Sequence, residues 1–146
     1  MDLSIIVPIY NVEKYVRTCI ESIFRQGLDE NRFEVIIVND GTQDKSMEVI
    51  ADIIVRHKNI IVINQENQGL SVARNNGIAV AKGEYLLMPD SDDMLIDHSV
   101  EPLLEKALAE KSRYDCGRLY TDERRRNKQS GPTSHQSTKR VSSHRN

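Results

Sequence analysis

Two rhythms of apolar residues alternate along the first 111 positions of the chain. Short, nearly continuous runs at 3–7, 33–39, 60–64 and 84–88, with cores such as Ile5-Ile6-Val7 and Val35-Ile36-Ile37-Val38, have the length and character of strands covered on both faces. Between them the apolar positions recur at helical spacing. Val12, Val16, Ile20, Ile23 and Phe24 form one stripe, with Asn11 as its N-cap and Gly27 as its stop; Met47, Ile50 and Ile54 form a second. A third helix is expected around 71–81, ending near Gly83. Val100, Leu103, Leu104, Ala107 and Leu108 mark a fourth, which Asp97 can cap. All these apolar residues are assigned to packing on the sheet. Strands and helices alternating in this way predict an α/β fold with a parallel sheet built from βα units.

The pattern stops near residue 112, and the charge changes with it. Residues 1–111 carry 11 Lys and Arg against 19 Asp and Glu, a balance of −8, whereas residues 112–146 carry 9 against 3, a balance of +6. After Tyr120 the only apolar residue is Val141. Such a stretch cannot bury enough surface to offset its ordering entropy, so 112–146 is expected to be a basic, disordered tail behind a single domain at 1–111. Cys19 and Cys116 lie far apart and lack zinc-ligand spacing, which fits a reducing, cytoplasmic setting. No apolar stretch approaches membrane-spanning length, and the first run is too short for a signal-peptide core.

Three of the expected strands end in chemically suggestive loops: Pro8-Ile9-Tyr10-Asn11, Asn39-Asp40-Gly41-Thr42 and Asp90-Ser91-Asp92-Asp93. In a parallel sheet all three open on one edge, where ligands of open α/β folds collect. Tyr10 offers a flat ring for stacking, Asp40 an acceptor for a base N–H, and Gly41 room for close backbone approach. Carboxylates after the fourth strand can hold Mg²⁺ or Mn²⁺ against phosphate oxygens. Arg74, the only cation between Lys58 and Lys82, can clamp a diphosphate bidentately. Each residue also has an ordinary structural use. Asp40-Gly41 can be a plain turn, Tyr10 a rim residue, Asn11 a helix cap, Arg74 a surface ion-pair partner, and the acidic loop a turn.

The ordered set of segments Val-Pro-Ile-Tyr-Asn, Val-Asn-Asp-Gly-Thr, Asn-Gln-Gly-Leu-Ser-Val-Ala-Arg-Asn-Asn-Gly and Met-Pro-Asp-Ser-Asp-Asp resembles the inverting GT-A glycosyltransferases of family 2 over roughly residues 1–111. The resemblance implies a GT-A, Rossmann-like, mostly parallel sheet with flanking helices and strand order 3-2-1-4. It also implies a UDP-sugar donor, a saccharide or lipid-linked acceptor in cell-surface polysaccharide synthesis, and Mg²⁺ or Mn²⁺ as cofactor. By the same resemblance Pro8 and Tyr10 line the base, Asp40 binds the uracil edge, Arg74 approaches the diphosphate, Asp90 lies near the ribose and Asp92 ligates the metal. Asp93, beside it, receives no defined role.

The sequence also departs from the family. An inverting member needs a carboxylate base for the acceptor hydroxyl, and after Glu110 only Asp115, Asp122 and Glu123 remain, none in a context like the family's base. No catalytic residue is therefore assigned, and the chain reads as a C-terminally truncated donor half. The basic tail fits a truncated or shifted reading frame better than a dedicated arm. No nucleic-acid partner is expected, whereas the basic charge allows peripheral association with the inner face of a membrane. Two other readings compete: a non-catalytic nucleotide-sugar-binding fragment, and a flavodoxin-like Mg²⁺-binding signalling domain with an acidic phosphoacceptor pocket.

Overall fold

The computed structural model of the protein describes residues 1–110; the expected tail at 112–146 lies outside them. Strands β1 (Leu3–Ile9), β2 (Phe33–Asp40), β3 (Ile60–Gln65) and β4 (Tyr85–Leu87) alternate with helices α1 (Val16–Ile23), α2 (Ala51–Arg56), α3 (Leu70–Val80) and α4 (Val100–Glu110). A 3₁₀ turn at Glu48–Ile50 leads into α2. The four strands form one parallel sheet in the order β3-β2-β1-β4. That is the order the family resemblance implies. A flavodoxin-like domain would run 2-1-3-4, so the signalling-domain alternative is excluded by topology.

β1 is buried along its whole length because it is central and covered on both faces. On one face Leu3, Ile5, Val7 and Ile9 pack with Val35 and Ile37 of β2 against Val16, Cys19, Ile20 and Ile23 of α1, Ile53 of α2, and Val100 and Leu104 of α4. On the other, Ile6, Ile36 and Val38 meet Ala73 of α3. Gly77 lets α3 come this close: a Cβ there would overlap Ile6 Cγ2 and press on Val38 Cγ2 at 3.3 Å. The strand order reverses between β1 and β4. β4 pairs only with Leu3–Ile5, so the carboxyl-terminal half of β1 has no neighbour on that side among the described residues. A crevice is left at the point where open α/β folds bind ligands.

Several expectations need correction. Asn11 does not cap α1, which begins at Val16 after Tyr15 without a side-chain cap. Asn11 adopts φ 52°, a left-handed conformation that Asn tolerates better than most residues, and ties the loop after β1 to the loop after β2. Its N–H donates to Thr42 Oγ1 at 2.8 Å, and its Oδ1 accepts the Gln43 N–H at 3.2 Å. The second helix is phased differently from the expected stripe. Ile50 and Ile53, three residues apart on one helix face, are the buried pair; Ile54 and Met47 are only partly buried.

Asp97 does not cap α4; it pairs with Arg25 at 2.9 Å. The cap is instead the buried Gln26, whose Oε1 accepts the N–H groups of Ser99 and Val100, each at 3.0 Å. Leu103, expected to pack on the sheet, is 68% exposed.

Candidate nucleotide site

Because the strands are parallel, the loops after β1, β2 and β4 emerge on one edge of the sheet. There Pro8, Ile9 and Tyr10 from β1 and its loop, Asp40 from β2, and Ser91 from the β4 loop line a cavity of about 330 Å³. Asn67, Gly69, Leu70 and Ala73, at the amino-terminal end of α3, close the opposite wall. Three of the residues singled out in the sequence, Pro8, Tyr10 and Asp40, therefore share one cavity. Pro8 is buried beneath it, whereas Tyr10 is 43% exposed and free to present its ring to a ligand.

Asp40 is 3% exposed and heavily engaged. Its Oδ1 accepts Gln65 Nε2 and the Gln68 N–H, both at 2.8 Å, and its Oδ2 accepts the Gly69 N–H at 2.9 Å. These bonds hold the 65–69 loop against the end of β2. Gly41 permits that approach, since at its φ of +67° a Cβ would lie 2.8 Å from the Asn67 nitrogen. Gln65 is itself held by Asn76, whose Nδ2 donates to Gln65 Oε1 at 2.7 Å. The sequence reading anticipated Asp40 but not Gln65, because nothing local marks a strand-terminal Gln as the partner of a carboxylate 25 residues earlier.

A second network fixes the rim. The Asp44 carboxylate accepts Thr42 Oγ1 at 2.8 Å and the N–H groups of Ser46 and Glu13 at 2.9 and 3.0 Å, along with the Ser46 hydroxyl. Burial pulls the Asp44 carboxyl upward, but the hydrogen bonds from Ser46, Glu13 and Thr42 together outweigh it and set its pKa at about 2. Asp44 thereby joins the loop carrying Tyr10 to the loop after Asp40. The signal available in the sequence was the Thr42-Gln43-Asp44-Lys45-Ser46 run, whose Thr, Asp and Ser favour local turn hydrogen bonds.

Arg74 and Asp90, adjacent in sequence to the lining residues Ala73 and Ser91, are brought together as an ion pair at 2.5 Å. Asp92 and Asp93 are exposed. Among the described residues no three His, Cys, Asp or Glu side chains gather into a metal-ligand set. Asp90 and Asp92 are nevertheless hard oxygen donors on one loop, and one or two carboxylates suffice for Mg²⁺ when phosphates and water supply the remaining positions. The donor chemistry fits. Behind the loop, burial raises the Cys19 thiol to a pKa of about 11, with further upward pushes from Asp93, Asp92 and Asp90; its Sγ donates to the Asp90 carbonyl at 3.5 Å. Asp115, Asp122 and Glu123 lie outside the described residues. Among the described residues no helix is long and apolar enough to cross a membrane.

Comparison with known proteins bears on the family and the fold. Residues 4–144 match the family model described as glycosyl transferase family 2. The chain is 43% identical over 105 residues to the uncharacterized glycosyltransferase EpsJ of Bacillus subtilis (strain 168), covering 72% of this chain and 30% of that protein. It is 36% identical over 104 residues to the minor teichoic acid biosynthesis protein GgaB of the same organism, covering 70% of this chain and 12% of GgaB. Among solved structures, S. aureus TarS 1–349 in complex with UDP-GlcNAc superposes with a TM-score of 0.68 at 31% identity, over 75% of this chain and 32% of that one. The chain thus spans about a third or less of the length of these relatives.

Proposed function

The chain belongs to glycosyl transferase family 2, and on that premise we propose that it binds a UDP-sugar donor with a divalent cation, Mg²⁺ or Mn²⁺. The role is in transfer to a saccharide or lipid-linked acceptor during cell-surface polysaccharide synthesis. The observation that carries this reading is the convergence of Pro8, Tyr10 and Asp40 on one cavity at the carboxyl edge of the sheet, with the Arg74–Asp90 pair beside its lining residues. Tyr10 stacks on the base, Asp40 accepts a base N–H, Asp90 serves the ribose side, and Arg74 meets the diphosphate. Asp92 would hold the cation, which supplies Lewis-acid neutralisation of the leaving diphosphate when bound. The UDP-GlcNAc complex of TarS supports the choice of a uridine donor.

Transfer additionally needs a base for the acceptor hydroxyl. Asp115, Asp122 and Glu123, the carboxylates after Glu110, do not stand in a context like the family's base, so the reading is confined to donor binding. The positive charge of 112–146 suits a peripheral contact with an anionic membrane face.

Titration calorimetry with UDP tests the reading. Heat should appear with Mn²⁺ or Mg²⁺ present and fall sharply in EDTA. No binding under either condition would refute the donor site, and equal binding in EDTA would refute the cation. An acceptor-dependent release of UDP from UDP-sugars by the purified chain would extend the reading from donor binding to transfer.

A further inference from the structure

No strand or helix covers residues 88–99, the segment that carries the acidic loop from β4 to α4, so neither a ladder nor a helix fixes where Asp92 stands. The segment is fastened instead to one face of α1. The Cys19 thiol donates to the Asp90 carbonyl at 3.5 Å, and Ser22 Oγ accepts the Leu95 N–H at 3.0 Å. Asp92 lies between these two anchors. Inside the loop the Asp93 N–H closes a turn on the Asp90 carbonyl at 3.1 Å.

The anchors are unequal. A thiol is a weak donor, whereas Ser22 is fully buried and spends its hydroxyl proton on the Cys19 carbonyl at 2.6 Å. With its donor committed, the Ser22 oxygen presents its lone pairs in fixed directions, and the Leu95 N–H meets one of them. Cys19 and Ser22 are three residues apart on one helix face, about 4.5 Å along the axis. The helix is therefore a rigid ruler beneath the loop. The Asp92 side chain is exposed, and its position follows that of the backbone these anchors hold.

We infer that Ser22 is a positioning residue for the cation: its hydroxyl fixes the return of the acidic loop at Leu95 and so sets the place of Asp92. Mg²⁺ demands near-ideal geometry at short distance, and a ligand on a drifting loop would lose affinity to the cost of ordering it. The base side of the cavity is held separately, by the bonds of Asp40 and Asp44, none of which involves Ser22. Ser22 thus acts on the phosphate end of the ligand through Asp92, without touching the ligand. This inference rests on the donor reading proposed above.

The test is a double-mutant cycle on the full 146-residue chain, with Ser22→Ala, Asp92→Ala and their combination. UDP and uridine affinities are measured by calorimetry at one fixed Mn²⁺ concentration, and thermal unfolding checks that each variant is folded. Ser22→Ala should weaken UDP by about threefold to tenfold, the worth of a net hydrogen bond, and leave uridine unchanged. In the Asp92→Ala background the same substitution should cost less than about twofold, because the group it positions is gone. Cys19→Ala, which removes the weaker anchor, should shift UDP in the same direction by less, and it carries the test if Ser22→Ala fails to fold. Unchanged UDP affinity, equal losses for UDP and uridine, or losses that add in the double variant would overturn the inference and leave Ser22 a purely structural residue. If Asp92→Ala leaves UDP binding intact, the inference falls together with the cation site, while the nucleotide site stands. Wild-type binding of neither ligand would instead refute the donor reading itself.

Discussion

Arg74 on α3 and Asp90 after β4 meet at 2.5 Å, joining the only guanidinium of the segment between Lys58 and Lys82 to the first carboxylate of the acidic loop. The Arg74 Nε is buried without a hydrogen-bond partner among the described residues. The two groups neutralise each other, yet each is suited to a different part of a metal-bound nucleotide diphosphate. Binding should exchange this pair for Arg–phosphate and carboxylate–ribose contacts.

Arg74→Gln should therefore weaken UDP by about tenfold or more, the value of a charge-assisted hydrogen bond, while leaving uridine affinity nearly unchanged. Calorimetry with both ligands measures the split. Equal losses for uridine and UDP would mean that Arg74 supports the loop and does not reach the phosphates.

Asp92→Ala should also weaken UDP more than uridine, because a cation bridge reaches the phosphates and not the base. Asp40→Ala should weaken both. It should also lower stability by about 1–3 kcal/mol, since Gln65, Gln68 and Gly69 lose their shared acceptor. Denaturant unfolding run beside the titrations separates the two effects.

At the rim, Asp44 supplies a pH dependence whose sign follows from its depressed pKa. An unfolded Asp titrates near 3.9, whereas the folded carboxyl sits at about 2. Its contribution is complete above roughly pH 4 and is lost as the pH falls towards the folded value. Asp44→Asn should be less stable than the wild type at pH 6, and the difference should shrink between pH 4 and pH 2. A difference independent of pH would show that the ionised form carries no special weight.

Gln26→Leu should destabilise the chain by about 1–3 kcal/mol, because the buried N–H groups of Ser99 and Val100 lose their acceptor. The same substitution removes the donor that reaches the carbonyls of Ser22 and Ile96. Thermal unfolding of Gln26→Leu and Asp97→Ala makes the comparison. Asp97→Ala, which removes only an exposed ion pair, should lie within about 0.5 kcal/mol of the wild type.

Cys19 should resist alkylation at pH 8 in the native chain, as its thiol titrates at about 11 and the thiolate is the reactive form. Peptide mass spectrometry after iodoacetamide treatment reads Cys19 separately from Cys116. Rapid native labelling of Cys19 would show that the acidic loop opens readily.

Much of this arrangement was legible in the residue order. Continuous runs such as Ile5-Ile6-Val7 admit few uses other than a doubly covered strand, and the alternation with helical stripes then forces parallel pairing. Parallel pairing in turn gathers Tyr10, Asp40 and Asp90 on one edge, so the location of the site follows from periodicity and chemistry that are local in sequence. The helix ends were less legible. Asp97 and Asn11 have the right side chains for caps, but a cap is decided by which acceptor reaches the orphan N–H groups, and at α4 that acceptor is Gln26, brought from more than 70 residues away.

The same limit applies inside the site. That Asp40 is an acceptor can be read from its identity, but how many of its lone pairs remain free depends on Gln65, Gln68 and Gly69, which only the β2–β3 pairing and the 65–69 loop carry to it. Likewise Arg74 and Asp90 each announce a charge, while their mutual neutralisation depends on where α3 lies against the sheet, a distance set by the absence of a side chain at Gly77. Local pattern determined the elements, their order and the edge on which the chemistry stands. Hydrogen-bond saturation and charge pairing are properties of distances between segments far apart in the chain, and those the tertiary structure alone decided.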